Sequence, residues 1–206
     1  MKLNNKRTIL VGLAFLSICA FWQMYDSIVP LILTKTFHMN ETFSGAIMAA
    51  DNVLALFLLP FGSVSDKSHS KLGKRMPFIL FGTGCAIILM NILPLLDNSY
   101  AAQPSGFKTA SFVIVLGLLL VAMGTYRAPA VALMPDVTPK PLRSRANAII
   151  NLMGAVGGIL YLGVAAVLYP NSKTAGLDHV NYQPLFIVVS AIMFVAVAVL
   201  FLTIRE

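Results

Sequence analysis

Residues 62–77 read GSVSDKSHSKLGKRMP and concentrate four positive charges in one short segment. The positive side chains are Lys67, Lys71, Lys74 and Arg75. On either side the chain is nearly free of charge and rich in Leu, Ile, Phe and Ala. A charged loop between two apolar runs is typical of a chain that crosses a membrane and exposes its connections to water.

The composition of the whole chain agrees with this interpretation. Of the 206 residues, 58% are hydrophobic and 11% are charged, whereas soluble domains average about 25% charged residues. The mean hydropathy is +0.82. A helix of about 20 apolar residues crosses a bilayer, and a spanning segment must satisfy its own backbone hydrogen bonds. We therefore predict an all-α membrane protein with six transmembrane helices, at about 8–34, 42–64, 77–96, 109–134, 145–169 and 184–204.

The basic residues sort to alternate sides of these spans. One side holds eleven of them, Lys2, Lys6, Arg7, Lys67, Lys71, Lys74, Arg75, Lys140, Arg143, Arg145 and Arg205. The other side holds three, Lys35, Lys108 and Lys173. Because short cytoplasmic loops carry the excess of Lys and Arg, we expect a multi-pass protein of the cell membrane with both termini in the cytoplasm. This sorting accounts for the net charge of +7 without a nucleic-acid partner.

Three ionisable side chains lie within the predicted spans: Asp26, Asp51 and Arg127. A charge at the centre of a membrane helix costs at least about 2.5 kcal/mol, so such residues usually face the bundle interior and serve transport. The base can neutralise one acid while the other exchanges a proton or binds sodium. The alternative is a structural ion pair with a second aspartate facing water.

Trp22 precedes Asp26 by one helical turn and lies on the same helix face. An indole beside a carboxylate suits a sugar, whose C–H groups stack on the ring while its hydroxyl groups bind the acid. Gln23 and Asn52 add hydrogen-bonding groups at membrane depth. Core or interfacial packing is the alternative role for Trp22. Pro30 leaves the carbonyl of Asp26 without its helical hydrogen bond, which offers a second oxygen at this place.

The loop after the second span resembles the cytoplasmic signature of the major facilitator superfamily, in which an aspartate and basic residues stand between and beside two glycines. The matching residues are Gly62, Asp66, Lys67, Gly73, Lys74 and Arg75. The long gap from Asp66 to Gly73 is similar to that of sucrose–proton symporters and glycoside–pentoside–hexuronide cation symporters. Residues 128–149, APAVALMPDVTPKPLRSRANAI, resemble the junction of the fourth and fifth spans in the same group, with Asp136 and Arg143 in matching positions.

The resemblance implies that residues 1–206 form the N-terminal six-helix half of a twelve-span fold, a 3+3 inverted repeat that lacks its C-terminal half. It also implies that Asp66, Asp136 and the basic residues pair at the cytoplasmic face as a gate. The family's sucrose transporters commonly carry an arginine five residues before the aspartate. Here that position is Val131, and Arg127 lies one turn earlier.

We therefore expect a secondary active transporter that carries a sugar or glycoside by alternating access, with a proton or sodium as coupling ion and no organic cofactor. Its expected partners are the small-molecule substrate, the lipid bilayer and the missing six-helix half. No metal-ligand cluster, nucleophile–base pair or phosphate loop suggests an enzyme or a metal site. The alternatives are a major facilitator transporter of another small solute and a non-transporting membrane scaffold.

Overall fold

The first described helix runs almost the full length of the bundle. The computed structural model describes residues 5–50, 52–54 and 73–204. Helix α1 spans Asn5–Leu31, includes Pro30, and continues into a π-helical turn, Ile32–Thr36. A proline interrupts the regular backbone hydrogen bonds of a helix, and a wider turn is one way to accommodate that interruption. His38, with φ of 52°, adopts a left-handed conformation just beyond this turn.

The remaining helices follow α1 in a regular order. Residues 41–50 and 52–54 are helical and form the described part of α2. The others are α3 (Met76–Ala102), α4 (Gly106–Val137), α5 (Arg143–Leu168), α6 (Asn171–Thr174) and α7 (Gln183–Thr203). A short 3₁₀ turn, Lys140–Leu142, leads into α5.

Five helical segments among the described residues are long and apolar enough to cross a membrane. They are Asn5–Thr36, Met76–Ala102, Gly106–Val137, Lys140–Leu168 and Gln183–Thr203. Each contains most of one predicted span, whereas most of the span predicted at 42–64 lies outside the described residues. Helix α3 continues to Ala102, beyond the end predicted at residue 96, and this extension includes Asp97.

Helix α1 occupies the centre of the packing. It lies along α5 and α7 and also touches α4, while α3 packs against α4 and α7. The face of α1 towards the core carries large side chains that are almost fully buried, including Phe21, Met24 and Tyr25. Burying such side chains against neighbouring helices gives close van der Waals packing, which is a main source of helix association in a membrane.

Two glycines set the closest approaches between helices. A Cβ atom built on Gly157 of α5 would lie 2.0 Å from the carbonyl oxygen of Leu16 in α1. A Cβ atom on Gly82 of α3 would lie 2.7 Å from the backbone nitrogen of Tyr126 in α4. Both neighbours are backbone atoms, so a side chain at either glycine would force two helices apart.

Three glycines of α5 near α1 differ in how closely they approach it. Gly154 does face α1, because a Cβ atom there would lie 2.9 Å from the Cys19 sulfur. Gly158 meets only the side chain of Gln23, at 3.8 Å. The tight contact is therefore made by Gly154 and Gly157.

The two ends of the bundle differ in chemistry. Arg75, before α3, and Asp136, near the end of α4, lie together at one end, named here the Arg75 end. Thr36, after α1, and Asp97, near the end of α3, meet His179 at the other end, named the His179 end. Since α1 and α3 both run towards the His179 end, the chain returns to the Arg75 end between residues 36 and 75.

Candidate functional site

An aromatic cluster on α1 surrounds the first candidate residue. The ring of Trp22 meets Phe21 and Tyr25 edge-on, each at a centroid distance of 5.4 Å. Such edge-to-face contacts fix the orientation of an indole. The Trp22 Nε1 atom is buried and has no hydrogen-bond partner among the described residues. Because an unpaired buried donor is costly, this N–H group is suited to a ligand that brings an acceptor.

Arg127 of α4 lies over this indole. The guanidinium carbon is 5.7 Å from the centroid of the Trp22 ring, within the range of a cation–π interaction. Arg127 is exposed and Trp22 is partly buried. The structure thus brings together two residues that the sequence analysis assigned to one site from separate spans.

A buried hydrogen-bond network holds α4 against α1 beside Arg127. The hydroxyl oxygens of Tyr126 and Ser17 are 2.7 Å apart. Both hydroxyl groups also lie within hydrogen-bond distance of the Ala14 carbonyl oxygen, at 3.0 Å for Tyr126 and 2.9 Å for Ser17. Together with the contact of Gly82 on the Tyr126 backbone, these bonds fix the position from which Arg127 reaches Trp22.

For the other predicted site residues, the structure shows their exposure and some of their neighbours. Asp26 is exposed on the turn of α1 that follows Trp22, and it interacts with another part of the chain. Gln23 is partly buried and faces α5 at Gly158. Asn52 is exposed on α2 and also has an interaction partner. Asp51 lies outside the described residues.

An ion pair connects α3 and α4 at the Arg75 end. The Arg75 Nε–H group donates to Asp136 Oδ2 at 2.5 Å. The side chain of Arg75 is 9% exposed and that of Asp136 is 50% exposed. A charge-assisted hydrogen bond between a nearly buried guanidinium and a hydrated carboxylate is stronger than a neutral one. This contact joins the two stretches that carry the family resemblance.

Arg143 supports the same end from α5. Its guanidinium donates to the carbonyl oxygens of Pro135, at 2.8 Å, and Thr138, at 3.4 Å. These carbonyls lie at the C-terminus of α4, where a positive charge is favoured. Gly73 has φ of 99°, a conformation that favours glycine, and Lys74 is exposed. Gly62, Asp66 and Lys67 lie outside the described residues.

A polar cluster at the His179 end was not predicted from the sequence. Asp97 is fully buried, although the predicted third span ended just before it. The nearest charged partner is His179, whose Nδ1 atom is 3.8 Å from Asp97 Oδ2. An acid directly after an unbroken apolar run was the available signal, because a helix that overruns its predicted end carries such a residue into the bundle.

Comparisons with known proteins agree with this architecture. Residues 11–206 match the Major Facilitator Superfamily, and the chain belongs to that superfamily of membrane transporters. It is 34% identical over 158 residues to sucrose transport protein SUC3 of Arabidopsis thaliana. It is 36% identical over 154 residues to sucrose transport protein SUT3 of Oryza sativa subsp. indica.

These alignments cover much of this chain but little of the relatives. They include 70% and 68% of the chain, and 26% and 30% of the respective relatives. The chain therefore matches less than a third of the length of either one. The family and the apolar helices identify a multi-pass membrane protein of a transporter superfamily.

Proposed function

We propose that this chain is the N-terminal six-helix half of a secondary active transporter that carries a sugar or glycoside by alternating access. The observation that carries the proposal is the position of Arg127 over Trp22. A sugar can stack its C–H face on the indole while its hydroxyl oxygens accept hydrogen bonds from the guanidinium. The names of the relatives, which are sucrose transport proteins, favour the same substrate class.

The exposed charges on α1 and α4 support a second half. Asp26 and Arg127 both lie on helices apolar enough to span a membrane, yet both are exposed. Charged side chains at that depth require protein or water around them rather than lipid. A C-terminal six-helix half packed over this face would enclose them and form the opposite wall of a substrate cavity.

The return of the chain between residues 36 and 75 supports six crossings. The five described spans place the C-terminal ends of α1 and α3 at the same end of the bundle. A sixth span within residues 42–64 would make the alternation of direction complete. Three spans followed by three more is then consistent with an inverted repeat.

Asp26 and Asp51 are the proposed coupling residues. Either carboxylate can take up a proton or bind sodium, and in the proposed site a guanidinium close to such an acid would favour its charged form. Substrate arriving between Trp22 and Arg127 would change that balance. In this mechanism binding of the ion and binding of the sugar stabilise each other, and the loaded protein then changes the side to which the site opens.

The Arg75 end is the proposed cytoplasmic gate. The basic excess predicts that this end faces the cytoplasm, and the Arg75–Asp136 pair joins α3 to α4 there. Breaking the pair would allow the helices to separate as the cavity opens inward. Asp66, Lys67, Lys74 and Arg143 belong to the same proposed gate.

Uptake of radiolabelled sucrose into proteoliposomes tests the site. The protein expressed from its native gene is reconstituted, and a proton or sodium gradient is imposed. We expect Trp22→Ala and Arg127→Gln each to raise KM about tenfold, which corresponds to about 1.4 kcal/mol of lost binding. Phe194→Ala, which removes an exposed aromatic residue of α7, is the matched control. Unchanged KM in both site variants would contradict the assignment.

Asp26→Asn separates coupling from binding. We expect uptake driven by the ion gradient to fall at least tenfold, while exchange of internal for external sugar is retained. If wild-type protein accumulates no sucrose, maltose or melibiose under either gradient, the sugar class is wrong. Full assembly and cellular function in the variants at Asp26 and Asp51 would favour a non-transporting scaffold.

A further inference from the structure

The carboxyl group of Asp97 is the most unusual buried group outside the proposed site. It is fully buried near the end of α3, and neither oxygen accepts a hydrogen bond of ordinary geometry from the described residues. Its nearest polar neighbours are His179 Nδ1, at 3.8 Å from Oδ2, and the hydroxyl group of Thr36. A buried carboxylate without donors is costly, so the location of nearby protons decides its state.

A chain of amide side chains fixes the orientation of His179. The backbone N–H of Gln183 donates to Asn181 Oδ1 at 3.0 Å, which identifies that atom as the oxygen of the amide. The Asn98 Nδ2–H₂ group donates to the same oxygen at 2.9 Å. Asn98 Oδ1 must therefore be the atom that faces His179 Nε2, at 2.9 Å. Because this oxygen only accepts, Nε2 carries a hydrogen.

This assignment leaves too few hydrogens on the other side of the ring. In a neutral imidazole with hydrogen on Nε2, Nδ1 is an acceptor. Nδ1 lies 3.2 Å from Thr36 Oγ1 and 3.8 Å from Asp97 Oδ2. The Thr36 hydroxyl has one hydrogen and can supply either His179 or Asp97, but not both. An ionised Asp97 and a neutral His179 would thus face each other as two acceptors with one hydrogen missing.

We propose that Asp97 and His179 form a proton-binding site that holds one proton between the carboxyl group and Nδ1. The site links three parts of the chain: the end of α1 through Thr36, the end of α3 through Asp97 and Asn98, and the connection between α6 and α7 through His179. With the proton present, the connection between α6 and α7 is held against the ends of α1 and α3. Without it, a buried uncompensated anion weakens that link. This site is independent of the proposed sugar site.

Other titratable groups around the pair do not replace it as the proton acceptor. Tyr182, just before α7, interacts with Asp97 and also with Tyr161 of α5 and Tyr169 just after α5. Asp178 is next to His179 in the chain, and Lys108 of α4 lies near the end of α3. Burial raises the pKa of the Tyr182 hydroxyl, and the negative charge of Asp97 raises it further. Asp178 is exposed, and Lys108 donates to the Ser99 and Gln103 carbonyls.

The site predicts a particular dependence of stability on pH. In an unfolded chain aspartate loses its proton near about pH 3.9 and histidine near about pH 6.5. Between these values the pair holds one proton whether the chain is folded or unfolded, so it contributes no slope. Above about pH 6.5 only the folded pair retains its proton, and stability falls as the pH rises. The stabilisation is lost once the folded pair also releases the proton.

Thermal unfolding of the purified protein in detergent from pH 5 to pH 9 tests the proposal. We expect the Tm of the wild type to fall above pH 6.5. In Asp97→Asn this part of the slope should vanish, because an amide supplies the missing hydrogen to Nδ1 without a bound proton. Asp178→Asn, which neutralises the exposed neighbouring acid, should retain the wild-type slope. Parallel profiles for wild type and Asp97→Asn would overturn the proposal, as would a flat wild-type profile.

Nitrogen NMR of the wild type provides a second test that does not depend on a variant folding. Histidine-labelled protein contains three imidazoles, at His38, His69 and His179, and His179→Gln identifies the third. We expect its Nε2 to carry hydrogen from pH 5 to pH 9, with any response to pH confined to Nδ1. A hydrogen on Nδ1 with Nε2 bare would overturn the proposal.

Discussion

The two ends of the bundle hold their helices together by different means. At the Arg75 end, full charges pair directly, and Asp136 is half exposed to water. At the His179 end, two amide side chains orient an imidazole that faces a fully buried carboxyl group. The contact at the Arg75 end depends on attraction between a permanent positive charge and an anion. The contact at the His179 end is favourable only while each hydrogen-bond acceptor there has a hydrogen to bind.

This difference indicates which solution variable acts on each end. Arginine does not lose its charge at accessible pH, so the Arg75–Asp136 contact responds mainly to salt. The Asp97–His179 contact is buried and responds mainly to protons. Under the proposed alternating-access mechanism the two ends would open at different times, and separate chemistry at each end would allow them to be regulated separately.

The two ends can be compared only in a protein whose central helix contacts are intact. Gly157→Val should have the largest effect, because its side chain would meet the Leu16 backbone and separate α1 from α5. We expect a loss of more than about 4 kcal/mol, seen as failure to purify a monodisperse protein. Gly163→Ala lies on the same helix with open space around it and is the control. A stable, unshifted Gly157→Val protein would show that the two helices do not touch there.

The Arg75 end is tested next. Arg75→Ala removes the nearly buried guanidinium, and we expect a loss of about 1–2 kcal/mol, limited because the remaining Asp136 carboxylate is half hydrated. Lys140→Ala removes one exposed positive charge at the same end and serves as the matched control. Thermal unfolding in detergent measures both. Equal losses in the two variants would mean that net charge, not the pair, stabilises this end.

The amide chain at the His179 end should have a smaller effect. Asn98→Ala removes the acceptor of His179 Nε2 and a donor to Asn181, and we expect a loss of about 1 kcal/mol. The same thermal assay compares it with Gln103→Ala, which truncates an exposed side chain just after α3. A loss no greater than that of Gln103→Ala would show that the amide chain does not position the imidazole.

Salt should give the smallest and most selective change. Raising the ionic strength from about 0.05 M to 1 M shortens the screening length to about 3 Å and should weaken the half-exposed Arg75–Asp136 pair by a few tenths of a kcal/mol. The Tm of the wild type should fall slightly more than that of an Arg75→Ala, Asp136→Ala double variant. Asp97→Asn should retain the wild-type salt response. A salt response that disappears in Asp97→Asn would reverse the comparison.

The candidate site shows which parts of a site a sequence can indicate. The sequence indicates Trp22 by its position one turn before Asp26 and Arg127 as a charge within a span, and the structure places the two side chains in contact. The buried unpaired indole N–H and the Tyr126–Ser17 network could not be predicted. Hydroxyl and indole groups carry no local pattern that identifies their partners on another helix.

The His179 end shows the opposite case. A hydropathy pattern locates the apolar centre of a span well, but a helix continues past it wherever its backbone hydrogen bonds and contacts allow. The hydropathy pattern therefore places Asp97 in a connection, whereas in the structure α3 continues to Ala102 and includes it. The glycines of α5 are a similar case, since the sequence alone does not specify that Gly157 makes the closest contact with α1.

The sequence by itself determined that this protein crosses a membrane as apolar helices and that most of its basic residues lie in short polar segments between apolar runs. These properties depend on local composition, because a span must be apolar and must satisfy its own backbone bonds. Only the tertiary structure decided that Arg75 meets Asp136, Arg127 lies over Trp22, and Asp97 faces His179. Such pairs depend on the rotation and shift of whole helices, which follow from packing along their entire length.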